Sequence, residues 1–182
     1  KHQRVAKPAY KWFLLGGLLL LMISIFVRCL PLRAMTAVAF MAFCAPQADA
    51  GLIDDGRDAL ERGDQMEAHQ YFREAAGETT GDRSAHLHLA AGSAAYRAKS
   101  WNAAAESFSE ALESSDQEIQ QKAHYALATS LYYLGVPLEG EERKKAWQGS
   151  VKHYEAALKI NPEDQATNFT LNSVRKLLEG GK

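Results

Sequence analysis

Cysteine is scarce in this sequence, and its placement gives no sign of a disulfide-stapled fold. The 182 residues include two cysteines, Cys29 and Cys44, and both lie in the apolar N-terminal portion. A disulfide framework needs several cysteines spaced through the folded body, and the body here has none. The cysteines therefore imply no disulfide framework and carry no information about the compartment.

Catalytic and metal-binding motifs are lacking as well. The sequence contains no GxSxG nucleophile motif, no phosphate-binding P-loop and no glycine-rich dinucleotide turn. Among the six histidines, His86 and His88 point to different helix faces, and neither His124 nor His153 has a nearby cysteine or an HExxH-type spacing. We therefore predict that this chain is not an enzyme and holds neither a metal ion nor another cofactor.

Positive charge is sparse in the second part of the chain. Residues 1–50 carry six Lys or Arg and one acidic residue, whereas residues 51–182 carry 15 Lys or Arg against 21 Asp or Glu. The formal charge of residues 51–182 is therefore −6. Nucleic-acid phosphates are bound by clustered cations, so we expect no nucleic-acid partner for this acidic body.

The N-terminal part contains a long apolar stretch that predicts a membrane anchor. A basic arm, residues 1–11, precedes sixteen uncharged residues beginning at Trp12, and a basic turn bearing Arg28 and Arg33 completes the segment 12–33. A helix of these sixteen uncharged residues spans about 24 Å, slightly less than the ~30 Å hydrocarbon core, and flanking cations can reach the interface. We predict a transmembrane helix here, and a buried core helix is the alternative.

Residues 34–50 form a second apolar segment that ends in Ala-Asp-Ala, a small-x-small sequence like that of a signal-peptide cleavage site. One helix through both apolar segments would place Arg28 and Arg33 at membrane depth, at a cost of about 2.5–3.5 kcal/mol each. We therefore expect two separate segments. The second is either another anchor or the scar of a fusion, and its signal-like character favours a periplasmic over a cytoplasmic position for the body.

The body contains three copies of one pattern of small and aromatic residues, at offsets 0, 7, 12, 16 and 19, with a ten-residue insertion in the third copy. The residues are Gly56, Gly63, Ala68, Phe72 and Ala75 in the first copy, Gly92, Lys99, Ala104, Phe108 and Ala111 in the second, and Ala128, Gly135, Ser150, Tyr154 and Ala157 in the third. The 36-residue period between the first two copies is typical of stacked repeats. We predict paired helices joined at offset 7, with an aromatic that fills the space to the next hairpin. Chance spacing in an ordinary bundle is the alternative.

Seven helices are predicted, at about 51–62, 65–77, 84–98, 101–114, 117–134, 141–160 and 163–178. Asp64 is expected to cap the second helix in a capping box with Glu67, and Ser100 to cap the fourth. Asn161 is expected to cap the last helix, which would cover the open end of the stack. Residues 136–145 are predicted as an exposed loop, because they combine proline, glycine and charges.

These residues resemble the tetratricopeptide repeat (TPR) family, in which a small residue, a turn glycine, alanine, an aromatic, alanine and a closing proline stand at fixed offsets. The third copy, from Tyr154 to Pro162, is close to the family's helix-end signature, although the first two copies lack the proline. The resemblance implies an all-α fold: a TPR-like helical hairpin array of three repeats plus a capping helix, preceded by one or two transmembrane helices. The implied domain is 51–178, with repeats at about 49–80, 85–118 and 121–162 and the capping helix at 163–178.

The anchor region carries a second resemblance. Pro8-Ala-Tyr10-Lys-Trp12, followed by a leucine-rich span, is similar to the C-terminal anchor of von Willebrand factor A-type proteins of the bacterial aerotolerance (Bat) group. Residues 154–178 resemble the end of the TPR protein that is commonly encoded beside them. The Asp-x-Ser-x-Ser metal motif of the von Willebrand domain is absent. The resemblance implies a bacterial inner-membrane protein anchored through residues 12–50, with von Willebrand factor A-type membrane proteins as candidate partners.

By the same resemblance, the first helix of each hairpin lines a concave groove that binds protein or peptide partners. The candidate groove residues are Arg57, His86, Leu89, Ser93, Tyr96, Arg97, Lys122, Tyr125, Thr129, Tyr132 and Tyr133. Tyrosines beside cations suit a peptide, because they offer flat area and hydrogen-bond donors. For Tyr125 and Tyr132 the alternative is simple packing.

Taken together, these features predict a membrane-anchored scaffold for protein–protein interaction in a Bat-type aerotolerance or stress assembly. The body is expected in the periplasm. Two alternatives remain open at this point: the substrate-recruiting or regulatory tail of a larger envelope enzyme or protease, and a purely structural anchor.

Overall fold

The computed structural model describes the backbone of residues 47–180 and the side chains of residues 51–180. Within this part of the chain there are seven α-helices, one 3₁₀ turn and no strand, so the expected all-α class is confirmed there. The helices are α1 (Gln47–Arg62), α2 (Gln65–Gly77), α3 (Gly81–Arg97), α4 (Trp101–Glu110), α5 (Gln117–Gly135), α6 (Gly140–Ile160) and α7 (Gln165–Gly180), and the 3₁₀ turn (Ala111–Glu113) extends α4.

The expected membrane segments fall almost entirely outside this region. The segment 12–33 and residues 34–46 are not described, and residues 47–50 belong to α1. None of the helices within residues 47–180 combines the length and the apolar character that a bilayer span requires.

The connection between α5 and α6 is shorter than the predicted loop. Helix α6 begins at Gly140, so only Val136–Glu139 lie between the two helices, instead of residues 136–145. Gly140 has a φ of +55°, a conformation that glycine adopts without a Cβ penalty. The Arg143 side chain donates to the carbonyl of Leu138 and so ties the connection to the first turn of α6.

The capping box predicted at the start of α2 is not formed. Asp64 stands at the N-cap position, but its side chain accepts no hydrogen bond from the helix backbone. Arg62 instead contacts both expected members of the box, with Nε 3.3 Å from an oxygen of Asp64 and Nη2 2.9 Å from an oxygen of Glu67. Ser100 likewise precedes α4 without a side-chain cap bond. Both capping predictions were wrong in their hydrogen bonds, although the helix starts were right.

The last helix is capped by Asp164, and the prediction of Asn161 in that role was wrong. One Asp164 oxygen accepts from the Thr167 backbone N–H at 3.0 Å, and the other accepts from the Thr167 hydroxyl at 2.7 Å. These bonds from Thr167 lower the pKa of Asp164 below its ordinary value. The same carboxylate accepts from the amide of Gln121 at 3.1 Å, which links the start of α7 to α5.

The turns at offset 7 in the first two copies are alike. The Asp64 N–H donates to the Ala59 carbonyl at 2.8 Å, and the Ser100 N–H donates to the Ala95 carbonyl at 2.9 Å, which closes the same helix-ending turn in both copies. This turn needs a left-handed residue, and Gly63 (φ +85°) supplies it in the first copy. In the second copy Lys99 adopts a φ of +58°, although the left-handed region costs a residue with a Cβ about 1–2 kcal/mol.

The core is divided into three clusters that follow the chain. The first joins α1, α2 and α3 around Phe72, and the second joins α3, α4 and α5 around Phe108. The third joins α5, α6 and α7 around Tyr154. These three rings are 5%, 2% and 0% exposed, as the repeat pattern predicts. Each cluster is small, so each pair of helices depends on the next for the burial of its apolar face.

The glycines at offset 0 make room for the aromatic rings. A Cβ added to Gly56 would stand 2.8 Å from Cε1 of Phe72, and one added to Gly92 would stand 2.5 Å from Cε1 of Phe108. Real Cβ atoms do not approach that closely in a packed interior. The aromatic therefore packs inside its own hairpin, against the glycine, as well as toward the next hairpin as predicted.

Candidate partner-binding groove

Five of the predicted groove residues line one depression of about 360 Å³. It lies where α3 and α5 approach each other beside α4. The lining residues are Ser93, Tyr96 and Arg97 from α3, Phe108 from α4, and Tyr125, Ala126 and Thr129 from α5. Because Phe108 is the buried ring of the second core cluster, the depression rests directly on the core. Its position is thus set by the repeat pattern.

The two small hydroxyl groups in the depression are engaged with the protein itself. The Ser93 hydroxyl donates to the Leu89 carbonyl at 2.8 Å. The Thr129 hydroxyl donates to the Tyr125 carbonyl at 2.9 Å and lies 2.9 Å from the Tyr154 hydroxyl. Such bonds to the preceding helical turn are the usual arrangement for Ser and Thr inside a helix.

The remaining polar groups of the depression can all donate hydrogen bonds, and the Arg97 guanidinium can only donate. Burial and the neighbouring Tyr133 raise the pKa of Tyr96 to about 12, so its hydroxyl keeps its proton at neutral pH. The guanidinium of Arg97 is exposed and has no acceptor among the residues that the structure describes. None of the lining residues is acidic. The depression therefore suits a ligand that brings hydrogen-bond acceptors, such as an extended peptide or a carboxylate.

Tyr132 and Tyr133 belong to a neighbouring aromatic cluster rather than to the depression. The Tyr133 ring stacks on Trp101 with centroids 4.8 Å apart and meets Tyr96 edge-on at 5.9 Å. Tyr132 stacks on Trp147 at 5.9 Å, and the Trp147 indole N–H donates to the Tyr132 carbonyl at 3.1 Å. Tyr96 both lines the depression and contacts Tyr133, so the aromatic cluster adjoins the depression. The two tryptophans were not among the predicted residues, because both lie on second helices.

The other four predicted residues do not line the depression. Arg57 pairs with a neighbouring aspartate at 3.2 Å, and Lys122 pairs with a glutamate one turn earlier on α5. His86 is exposed on α3. Leu89 is half-buried and packs against the core cluster that contains Phe108. The depression is therefore confined to the junction of the second and third hairpins.

A pair of histidines lies on the two helices of the third hairpin. Nδ1 of His124 on α5 and Nδ1 of His153 on α6 are 3.1 Å apart, with ring centroids 5.3 Å apart. Sequence reasoning did not bring them together, since the ten-residue insertion separates them. One signal was available: each precedes a tyrosine, as His124-Tyr125 and His153-Tyr154. No third histidine, cysteine or carboxylate in the described region completes a metal-binding group.

The described part of this chain is all-helical, and its three core clusters follow one another along the chain. Comparison with protein-family models finds no match, and comparison with curated proteins finds none either. The functional inference therefore depends on the residues and the geometry of the chain.

Proposed function

We propose that this protein is a membrane-anchored TPR scaffold whose depression at Tyr96, Arg97 and Tyr125 binds a segment of a partner protein. The role is one of binding and not of catalysis. The single observation that carries the proposal is the convergence of five predicted groove residues on one depression that rests on Phe108. An aromatic wall with an available guanidinium at the rim is the composition that peptide-binding hot spots share.

The TPR-like arrangement is part of the proposal. It is supported by three core clusters in chain order and by two turns with the same hydrogen bonds. It is also supported by α7, which leaves Phe169 76% exposed but covers the third cluster with Leu171 and Val174. This is how the final helix of a repeat array closes its open end.

The location and the assembly are proposed from the sequence. The apolar segments within residues 12–50 support anchoring in the inner membrane of a bacterium, with the helical body in the periplasm. The similarity of the anchor and of the last repeat to Bat-group proteins supports a von Willebrand factor A-type membrane protein as the partner.

The binding proposal is tested with the full chain in lipid nanodiscs and a displayed library of extended peptides. Selected peptides are labelled, and their dissociation constants are measured by fluorescence anisotropy. We expect Arg97→Gln and Tyr125→Ala each to weaken binding by about tenfold or more, as loss of a hot-spot residue does. Arg175→Gln is the matched control, because Arg175 lies on α7 and pairs with Glu155 at the surface. Equal affinity of all four proteins would place binding outside the depression.

The partner class is tested by photo-crosslinking in bacterial membranes. A photoreactive amino acid replaces Tyr125, and a control chain carries it at Glu74, which is exposed on α2. Crosslinking from position 125 to a von Willebrand factor A-type protein, and not from position 74, is the expected result. Capture of that protein from both positions or from neither would contradict the partner assignment.

A further inference from the structure

The histidine pair is connected to the wall of the depression through two dipeptides. His124 is followed by Tyr125 on α5, and His153 is followed by Tyr154 on α6. The two histidine rings contact each other, and the two tyrosine rings contact each other edge-on at 5.7 Å. Tyr154 also holds Thr129, which lines the depression. These contacts connect the spacing of α5 and α6 at the histidines to the wall of the depression.

The contact between the histidines depends on their protonation. At 3.1 Å, an imidazole N–H on one Nδ1 donates to the lone pair on the other, so one of the two Nδ1 atoms must be unprotonated. The pair can carry one extra proton on the donor ring. With two extra protons both Nδ1 atoms become donors, the hydrogen bond is lost, and two positive charges face each other.

Three carboxylates on α5, α6 and the start of α7 are already engaged by other groups. Asp164, at the start of α7, is held by Thr167 and Gln121. Glu155 on α6 pairs with Arg175 of α7 at 2.6 Å, and Glu118 on α5 pairs with Lys122. Lys152, next to His153, adds positive charge. Burial lowers the pKa of both histidines, and for His153 the charges of His124 and Lys152 lower it further.

We propose that the His124–His153 pair is a pH-sensitive contact: its double protonation separates α5 from α6 and weakens partner binding in the adjoining depression. Only the second half of this proposal, the weaker partner binding, rests on the proposed function. The first half does not, because the helices separate with or without a partner. The partner binds the closed form, so acidification lowers its affinity by lowering the population of that form.

The first half is tested without a partner, by hydrogen exchange and mass spectrometry on the full chain in nanodiscs at pH 7.5 and pH 5.0. Exchange is corrected for the intrinsic effect of pH, and a chelator is present. We expect α5 and α6 to lose protection at pH 5.0 while α2 and α3 keep theirs. The double variant His124→Asn/His153→Asn, whose side-chain amides can bond to each other and do not titrate, should show no such loss.

The matched control is His88→Asn, which removes a histidine of the same body that contacts Glu110 on α4. It should lose protection in α5 and α6 like the wild type. Equal protection of wild-type α5 and α6 at the two pH values would overturn the proposal. So would an equal loss in the double asparagine variant.

The second half is tested with a peptide selected at pH 7.5. Its dissociation constant should rise about fivefold or more at pH 5.0 for the wild type and for His88→Asn, a coupling of ordinary size between two sites. It should change less for the double asparagine variant. If no peptide binds at pH 7.5, the proposed function fails while the exchange experiment still stands. If peptides bind with a pH dependence that the asparagines do not alter, the regulation fails and the proposed function stands.

Discussion

In the first two copies of the repeat a phenylalanine ring lies on a glycine of the preceding helix, whereas in the third a tyrosine packs in a cluster with Ala128. The glycine–phenyl contacts leave no room for a Cβ. In the third copy the fully buried Tyr154 reaches the Thr129 hydroxyl at 2.9 Å. One copy of the pattern has thus exchanged a purely apolar contact for one with a hydrogen bond.

The connections between the two helices of each hairpin also differ between the first two copies and the third. The first two hairpins turn within two or three residues, at Gly63 and Lys99, with matching hydrogen bonds. In the third copy Gly135 stands at the equivalent offset, but it is still helical and is the last residue of α5. Trp147 packs on this glycine, with its Cδ1 2.6 Å from where a Cβ would stand. The difference teaches that the third copy adds a contact between His124 and His153 that the first two copies lack, whereas its Trp147 stands three residues before Ser150 just as Trp101 stands three residues before Ala104.

The largest expected effect comes from the ring in the second copy. Phe108→Ala should lower the free energy of unfolding by about 3–5 kcal/mol, since it empties a buried aromatic site between three helices. Urea unfolding followed by circular dichroism measures this. It should also expose the floor of the depression, so peptide binding should fall in parallel. A loss below about 1 kcal/mol, the range of surface changes, would mean that the repeat aromatics do not carry the core.

The glycine beneath that ring is tested by a double-mutant cycle. Gly92→Ala alone should cost about 1–2 kcal/mol, because overpacking against Phe108 exceeds the gain in helix propensity. In the Phe108→Ala background the same change should stabilise by about 1 kcal/mol, because the clash is gone and the propensity gain remains. The same sign in both backgrounds would contradict the close contact. Ala128→Gly in the third copy, where no ring requires glycine, should simply destabilise.

Much of this arrangement could be predicted from spacing. Phe72, Phe108 and Tyr154 are buried because small residues and aromatics at helical spacing share one face. The end of the stack was predictable as a helix, but its cap was not. Asn161 and Asp164 are both good N-cap types, and only the position of Thr167 decides between them.

The site was predictable only where it follows the pattern. Ser93, Tyr96 and Arg97 were found because they lie on a first helix near offset 0. Trp101, Trp147 and the His124–His153 contact were missed, since each joins residues on different helices. Spacing within one helix carries no information about which side chains meet across an insertion.

The hydrogen bond between Tyr154 and Thr129 can be removed by deleting one atom, the hydroxyl oxygen of Tyr154. Tyr154→Phe gives this copy the ring type of the first two and should cost about 1 kcal/mol, the usual net value of a buried hydrogen bond. Thr129 keeps its bond to the Tyr125 carbonyl, so no orphaned group adds to the cost. Tyr71→Phe is the control, because its hydroxyl makes only a 3.4 Å contact with Glu67. An equal stability of Tyr154→Phe and wild type would show that the hydroxyl is not what distinguishes the third copy.

The smallest expected effect concerns the turns of the first two copies. Lys99 holds the left-handed conformation that Gly63 supplies in the first copy. Lys99→Gly should therefore relieve about 1–2 kcal/mol of backbone strain, against roughly 0.4–1 kcal/mol for the greater freedom of glycine in the unfolded chain. We expect a net stabilisation of about 0.5–1 kcal/mol in urea unfolding. The reverse change, Gly63→Lys, should destabilise, because the same strain is introduced into the equivalent turn. If both changes destabilise, the Lys99 side chain contributes more to its turn than the strain costs, and the two turns are alike in shape but not in energy.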